Sequence, residues 1–183
     1  LPHGPRYIAE TLVKHADRAR DLVRLFKLRL DPGSPLDDAE RNRRELDWRT
    51  AFEGALASVE SLNEDRILRS LASLVSATVR TNYFMCDEHG RVPQTIAFKL
   101  ATRDIADAPA PRPFREIWVS SPEVDGVHLR FAPIARGGLR WSDRPQDFRT
   151  EVLGLAKAQQ VKNTVIVPQG AKGGFVPKRI VPG

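Results

Sequence analysis

Ala135-Arg136-Gly137-Gly138-Leu139-Arg140-Trp141 and, further along, Lys162-Asn163 followed by Gly170-Ala171-Lys172-Gly173-Gly174 are the passages on which the fold and chemistry of this chain turn. Each sets a long cation beside a Gly-Gly pair. Glycine lets backbone approach backbone or ligand closely, at a cost in conformational entropy. Two such pairs beside cations therefore predict a pocket for a small anion. Between them a helix is expected from about Pro145 to Lys162, with Asp143 or Asp147 at its start. Its stripe of Phe148, Val152, Leu155 and Gln159 continues onto Lys162, which places that lysine on the buried face at the C-terminal end. Residues 164–167 read as a covered strand, and residues 170–174 as the loop at its end, where α/β sheets commonly bind ligands.

Working outward, the upstream half is helical. Ile8, Leu12, Ala19, Leu22, Val23 and Phe26 form a helical stripe from Arg6 to about Arg29. Asp31-Pro32-Gly33-Ser34-Pro35 stops it. A second helix is expected over 37–59, with Leu46, Phe52, Leu56 and Val59 inward. Ser61-Leu62-Asn63-Glu64 reads as a capping box, opening a third helix that runs to about Asn82 with Ile67, Leu71, Leu74, Val75 and Thr78 on its face. Composition changes after Phe84. Residues 95–100, 116–120 and 127–132 are β-prone, and the last alternates Val127, Leu129 and Phe131 against His128 and Arg130. Between the first two, the proline-rich residues 108–113 read as a stiff surface connection. The expected architecture is α/β: a helical segment over 1–84, then the incomplete beginning of a ligand-binding domain over 85–183.

The 183 residues are 41% hydrophobic and 28% charged, as in soluble globular proteins, and could bury one ordinary core. No apolar run approaches the length of a membrane span. No secretion leader is expected. A single cysteine, Cys86, reads as a core thiol and fits a reducing cytosol. The net charge of +6 is unevenly placed: ten Lys/Arg and three acids after residue 125 give +7, and the rest sums to −1. A basic field confined to the glycine-rich third argues for a local anionic ligand.

Lys172 is either a surface lysine in a turn or, with Lys162 and Arg136 as neighbours, a lysine that serves as a base near neutral pH. Arg136 is either a surface cation or a fork that grips a carboxylate bidentately. Arg140 leaves structural and binding roles open. Asp143, Asp147 and Glu151 read as helix-start acids. His3, His15, His89 and His128 show no metal-ligand spacing, so no metal is expected. Residues 170–174 do not make a Walker loop, and no G-x-G-x-x-G occurs. The cations are tied to glycine turns rather than interleaved with aromatics, which argues against nucleic acid.

With these residues in view, the chain resembles the large-subunit class of NAD-dependent glutamate dehydrogenases. The similarity is carried by Gly126-Val127-His128-Leu129-Arg130, by residues 135–144 and 147–155, by Lys157-Ala158-Gln159-Gln160-Val161-Lys162-Asn163 and by residues 165–176. Upstream, residues 61–68 and 80–84 fit as well. The resemblance implies roles position by position. Lys172 would be the catalytic base working through water, and Lys162 the ligand of the substrate α-carboxylate. Arg136, before Gly137-Gly138, stands where smaller glutamate dehydrogenases carry a lysine for the γ-carboxylate. A cation there favours a dicarboxylic amino acid over branched-chain or aromatic ones. The resemblance further implies L-glutamate and 2-oxoglutarate as substrates and NAD bound mainly by a Rossmann domain outside this chain, with its binding residues unassigned. It also implies a cytoplasmic homo-oligomer as the full-length enzyme, and an inactive isolated fragment. The competing reading, from another class, is a non-enzymatic anion-binding regulatory module.

Overall fold

The computed structural model describes residues 3–105, 107–162 and 170–178, apart from the side chains of residues 160–162. The chain divides into two compact units, Leu1–Ala77 and Thr78–Gly183.

The first unit is helical: α1 (Pro5–Lys14), α2 (Ala16–Leu30), α3 (Asp38–Leu56) and α4 (Leu62–Ala77). The single helix expected from Arg6 to Arg29 is two helices, because His15 leaves helical geometry at φ −107° and ψ 53°. Its ring nitrogen Nε2 lies 2.8 Å from the Glu64 carboxylate, a contact from α4 that no local pattern encodes. Asp37 caps α3 by accepting from the Glu40 amide at 2.8 Å. The inward face of α3 is Trp48, Phe52 and Leu56 rather than Leu46, which is 63% exposed. Trp48 stacks on Phe52 at 4.5 Å and donates its indole N–H to the Asp21 carbonyl, so it takes the place that Leu46 was expected to fill. These side chains join Leu22 and Leu68 in one core. Half of the expected capping box forms: the Ser61 hydroxyl accepts from the Glu64 amide at 3.4 Å. The Glu64 carboxylate turns instead to Lys14 and His15. The third expected helix ends at Ala77 rather than near Asn82, because residues 78–81 pair as a strand.

The second unit is a six-stranded sheet in the order β1-β2-β3-β4-β6-β5 with one long helix. Its strands are β1 (Thr78–Thr81), β2 (Ile96–Leu100), β3 (Arg115–Ser120), β4 (Val124–Arg130), β5 (Leu139–Trp141) and β6 (Ala171–Pro177), and α5 spans Phe148–Lys162. Every pairing is antiparallel except β5 with β6, which run parallel on either side of the α5 crossover. Alternation along β4 directs Val127 and Leu129 toward α5, where they pack with Phe148, Val152 and Val176. Ala156, rather than Leu155, continues the buried stripe of α5. Burying this cluster supplies the main local driving force for docking α5. The chain is thus mixed α/β, as expected. Cys86 is exposed rather than a core thiol, since it lies in the irregular link between β1 and β2.

Candidate functional site

The largest departure from expectation lies at Gly170-Ala171-Lys172-Gly173-Gly174. This passage is not a loop: Gly170 forms a bridge with Arg136, and β6 begins at Ala171 and runs through both glycines. The reason is steric. A Cβ on Gly174 would collide with the Val152 side chain of α5, and one on Gly173 would meet Leu139 and, at 3.1 Å, His128. The glycine pair lets the helix and the edge strand approach the sheet.

The same device operates across the edge. The Ala171 amide donates to the Arg136 carbonyl and the Gly173 amide to the Gly138 carbonyl, each at 3.0 Å. Gly137 lies so close to the Ala171 carbonyl that no side chain fits between them. Here glycine is required by close approach rather than by an unusual φ. The two Gly-Gly passages, separate in sequence, are therefore neighbouring strands.

That register places the site residues. Lys172 pairs with Leu129 on the α5 side of the sheet and is half-buried. Its ammonium lies 3.8 Å from where a Cβ on Gly138 would stand, so the lysine reaches across the edge strand. By strand alternation Gly138 and Arg140 share that face, and Arg136 precedes them in the same phase. Arg136 is exposed. The structure thus brings Lys172, Gly137, Gly138 and the Arg136 backbone together. Lys162 is the last residue of α5. Its side chain, like the strand expected over 164–167, lies outside the described residues.

Contacts not foreseen hold this edge. Arg140 pairs with Glu151 at 2.8 Å, and the same carboxylate accepts from the Ser142 hydroxyl at 2.8 Å. Arg140 therefore has a structural partner, and Glu151 fastens the edge strand to α5. On the other side of the helix, the Arg149 fork donates to both oxygens of Glu116, at 2.7 and 2.8 Å. Glu116 is 3% exposed and also accepts from the Trp118 indole. Strand alternation, which sets Glu116 in phase with Leu129 across the ladder, was the only sequence signal for it. Burial, followed by the Arg130 charge, holds the His128 imidazole below its usual pKa. Among the described residues no cluster of His, Cys, Asp and Glu has the makings of a metal site, and no helix is long and apolar enough to cross a membrane.

Comparison with known proteins places this geometry. Residues 51–183 match the family model described as bacterial NAD-glutamate dehydrogenase, catalytic domain, and residues 1–32 match glutamate dehydrogenase, helical motif 3. The first boundary falls within α3, upstream of the structural division at Ala77. The chain is 54% identical to the NAD-specific glutamate dehydrogenase of Pseudomonas aeruginosa over 95% of its length. To the proteins of that name from Halomonas elongata and Mycobacterium tuberculosis it is 52% identical, over 97% and 98% of its length. In each case it spans 11% of the relative. A catalytic-domain match over more than half of the chain, on a sheet whose two glycine passages meet at Lys172, shows that the chain belongs to the bacterial NAD-glutamate dehydrogenase family.

Proposed function

We propose that this chain supplies the first part of the substrate-binding half of an enzyme that oxidises L-glutamate with NAD and water to 2-oxoglutarate and ammonia. The observation that carries the reading is the pairing of the Arg136-Gly137-Gly138 edge with β6, which sets the Lys172 ammonium over Gly138. A small anionic substrate lying against this edge meets backbone on one side and cations on the other. Lys172 is the base that activates water for attack on the imine carbon formed once Cα is oxidised. Lys162 binds the α-carboxylate and Arg136 the γ-carboxylate. Holding both ends of a dicarboxylate fixes the direction of the Cα–H bond, and such orientation contributes several kcal/mol to a barrier, on the order of 7–11 at most.

NAD accepts the hydride in this chemistry. The glycine pairs here do not fit a phosphate cradle, since the space beside Gly173 and Gly174 is filled by Leu139 and Val152 and the Gly173 amide is engaged by Gly138. No residue of this chain is assigned to the cofactor.

The test is NADH formation by the full-length protein with glutamate, with leucine as the comparison, in wild type and Lys172→Ala. Turnover with glutamate alone, reduced by about a thousandfold or more in the variant, is expected of a lost general base acting on a positioned substrate. Near-normal turnover in Lys172→Ala removes the assignment. Silence with every amino acid returns the basic third to an anion-binding, non-enzymatic role.

A further inference from the structure

Three arginines in the sheet unit are gathered by three separate elements and none takes part in an ion pair among the described residues. Arg115 on β3 and Arg130 on β4 stand directly opposite each other in the ladder. Like charges in that relation are destabilising unless something negative lies between them. Arg103 comes from the short 3-10 turn Thr102–Asp104. Its guanidinium lies 5.6 Å from the centre of the Phe114 ring, and that of Arg115 lies 4.1 Å from the same ring. The aromatic ring thus holds two cations in place.

What each fork does touch is backbone carbonyl. Arg103 donates to Phe131 at 3.4 Å, Arg115 to Phe114 at 2.8 Å and Arg130 to Pro133 at 2.8 Å. One N–H is used in each case out of the five a guanidinium offers. Asp104, the nearest acid in sequence to Arg103, pairs with none of them among the described residues. His128, two residues before Arg130 on the same strand face, is pushed toward its neutral form by burial and by Arg130, so it adds no charge of either sign.

Because Glu116 and Leu129 point toward α5, their strand neighbours Arg115 and Arg130 project from the opposite face, away from Lys172. We propose that Arg103, Arg115 and Arg130 form a second anion site, on the sheet face opposite Lys172, that takes a small multivalent oxyanion: a phosphate group or a compact dicarboxylate. Forks anchored by an aromatic ring and by backbone carbonyls lose little entropy on closing around tetrahedral or planar oxygen sets. An anion there also relieves the Arg115–Arg130 repulsion. The site does not depend on the glutamate reading, since it uses none of the residues assigned to glutamate.

The test is calorimetric titration of the full-length protein, without NAD, using inorganic phosphate in one arm and succinate in the other. Saturable binding is expected in at least one arm. Because succinate can also occupy the glutamate site, it is the part of the binding lost in the glutamine variants that identifies whether a phosphoryl or carboxylate ligand is preferred. Arg115→Gln and Arg130→Gln should each weaken it by about tenfold or more, the size of one charge-assisted hydrogen bond. Arg103→Gln, at an exposed position, removes one fork with little risk to folding and should weaken binding in the same direction. Lys172→Ala should bind as wild type does. Binding undiminished in all three glutamine variants, or abolished only in Lys172→Ala, overturns the proposal. So does the absence of saturable binding in both arms, which would mean that an acidic segment of the longer protein neutralises these arginines.

Discussion

The two units of this chain divide positive charge in different proportions. In the helical unit, arginines 6, 18, 20, 24, 29, 43, 44, 49 and 69 all pair with carboxylates of the same unit. Most of these pairs link residues three or four apart along one helix, and in most the arginine itself is exposed. Such pairs contribute about 0.2–1 kcal/mol each at best. In the sheet unit, Arg91, Arg140 and Arg149 are committed to carboxylates, whereas among the described residues Arg103, Arg115 and Arg130 are not. Charge in the first unit is mostly neutralised locally and shapes helices, although the Arg41 fork donates to the backbone carbonyls of Arg29 and Leu36. Charge in the second is divided between carboxylate pairs, of which Arg149–Glu116 is the buried fastening, and a set of cations left available to anions.

The largest effect expected from breaking this contrast comes from the buried fastening. Arg149→Ala leaves the Glu116 carboxylate, 3% exposed, with only the Trp118 indole as a polar partner among the described residues. Removing one member of a buried pair costs on the order of 3 kcal/mol. Native-state hydrogen exchange on the full-length protein should show the amides of β3 and α5 opening more readily by about that amount. Unchanged protection would mean that the pair contributes as little as the surface pairs of the helical unit.

A cation without a carboxylate partner among the described residues should behave in the reverse manner. Arg136→Leu removes an exposed side chain, so protection of β6 should stay within about 0.5 kcal/mol of wild type. Its kcat/KM for glutamate should fall by about a hundredfold, equivalent to about 2.7 kcal/mol. Equal losses of protection and activity would reclassify Arg136 with the structural arginines. An unchanged kcat/KM would remove its role at the γ-carboxylate.

The sequence made these roles unequally visible. Alternation of Val127, Leu129 and Phe131 located a strand face because the sheet buries one side of β4, and all three side chains are buried. The helix ending at Lys162 was legible for the same reason: Phe148 and Val152 recur at helical spacing and meet that face. The passage around Lys172 was misread as a loop. Glycine marks both turns and close packing, and only the tertiary positions of Val152 and Leu139 decide which applies. The juxtaposition of Gly138 and Lys172 depends on a parallel pairing across the α5 crossover, which no local pattern specifies. Trp48 displaced Leu46 for a comparable reason, since its burial requires the Asp21 carbonyl from another helix. Arg130 was read only as the polar side of an alternating strand and Arg115 drew no notice, because strand register, not spacing, sets them opposite each other.

Besides the part-buried Arg29–Glu45 pair, the Glu64 cluster departs from the exposed pairs of the helical unit, and it gives the finest test of the contrast. Glu64 is 8% exposed and takes Lys14 at 2.8 and 2.9 Å and His15 at 2.8 Å, joining α4 to the break between α1 and α2. The hydrogen bond from His15, then that from Lys14, lowers its pKa below the ordinary value of 4.5. A depressed carboxylate pKa stabilises the fold above the unfolded pKa, and that contribution disappears as the pH falls through the folded pKa. The amides of α1 and α4 should therefore open more easily as the pH is taken below 4.5, once the pH dependence of intrinsic exchange is removed. Glu64→Gln cannot ionise, so its opening free energy should lack that acid-side decline while remaining lower than wild type at neutral pH. Parallel pH profiles for the two proteins would show that this junction, although buried, is electrostatically equivalent to the exposed pairs around it. Divergence confined to the acid side would show that the helical unit, too, holds one charge whose burial gives it structural weight.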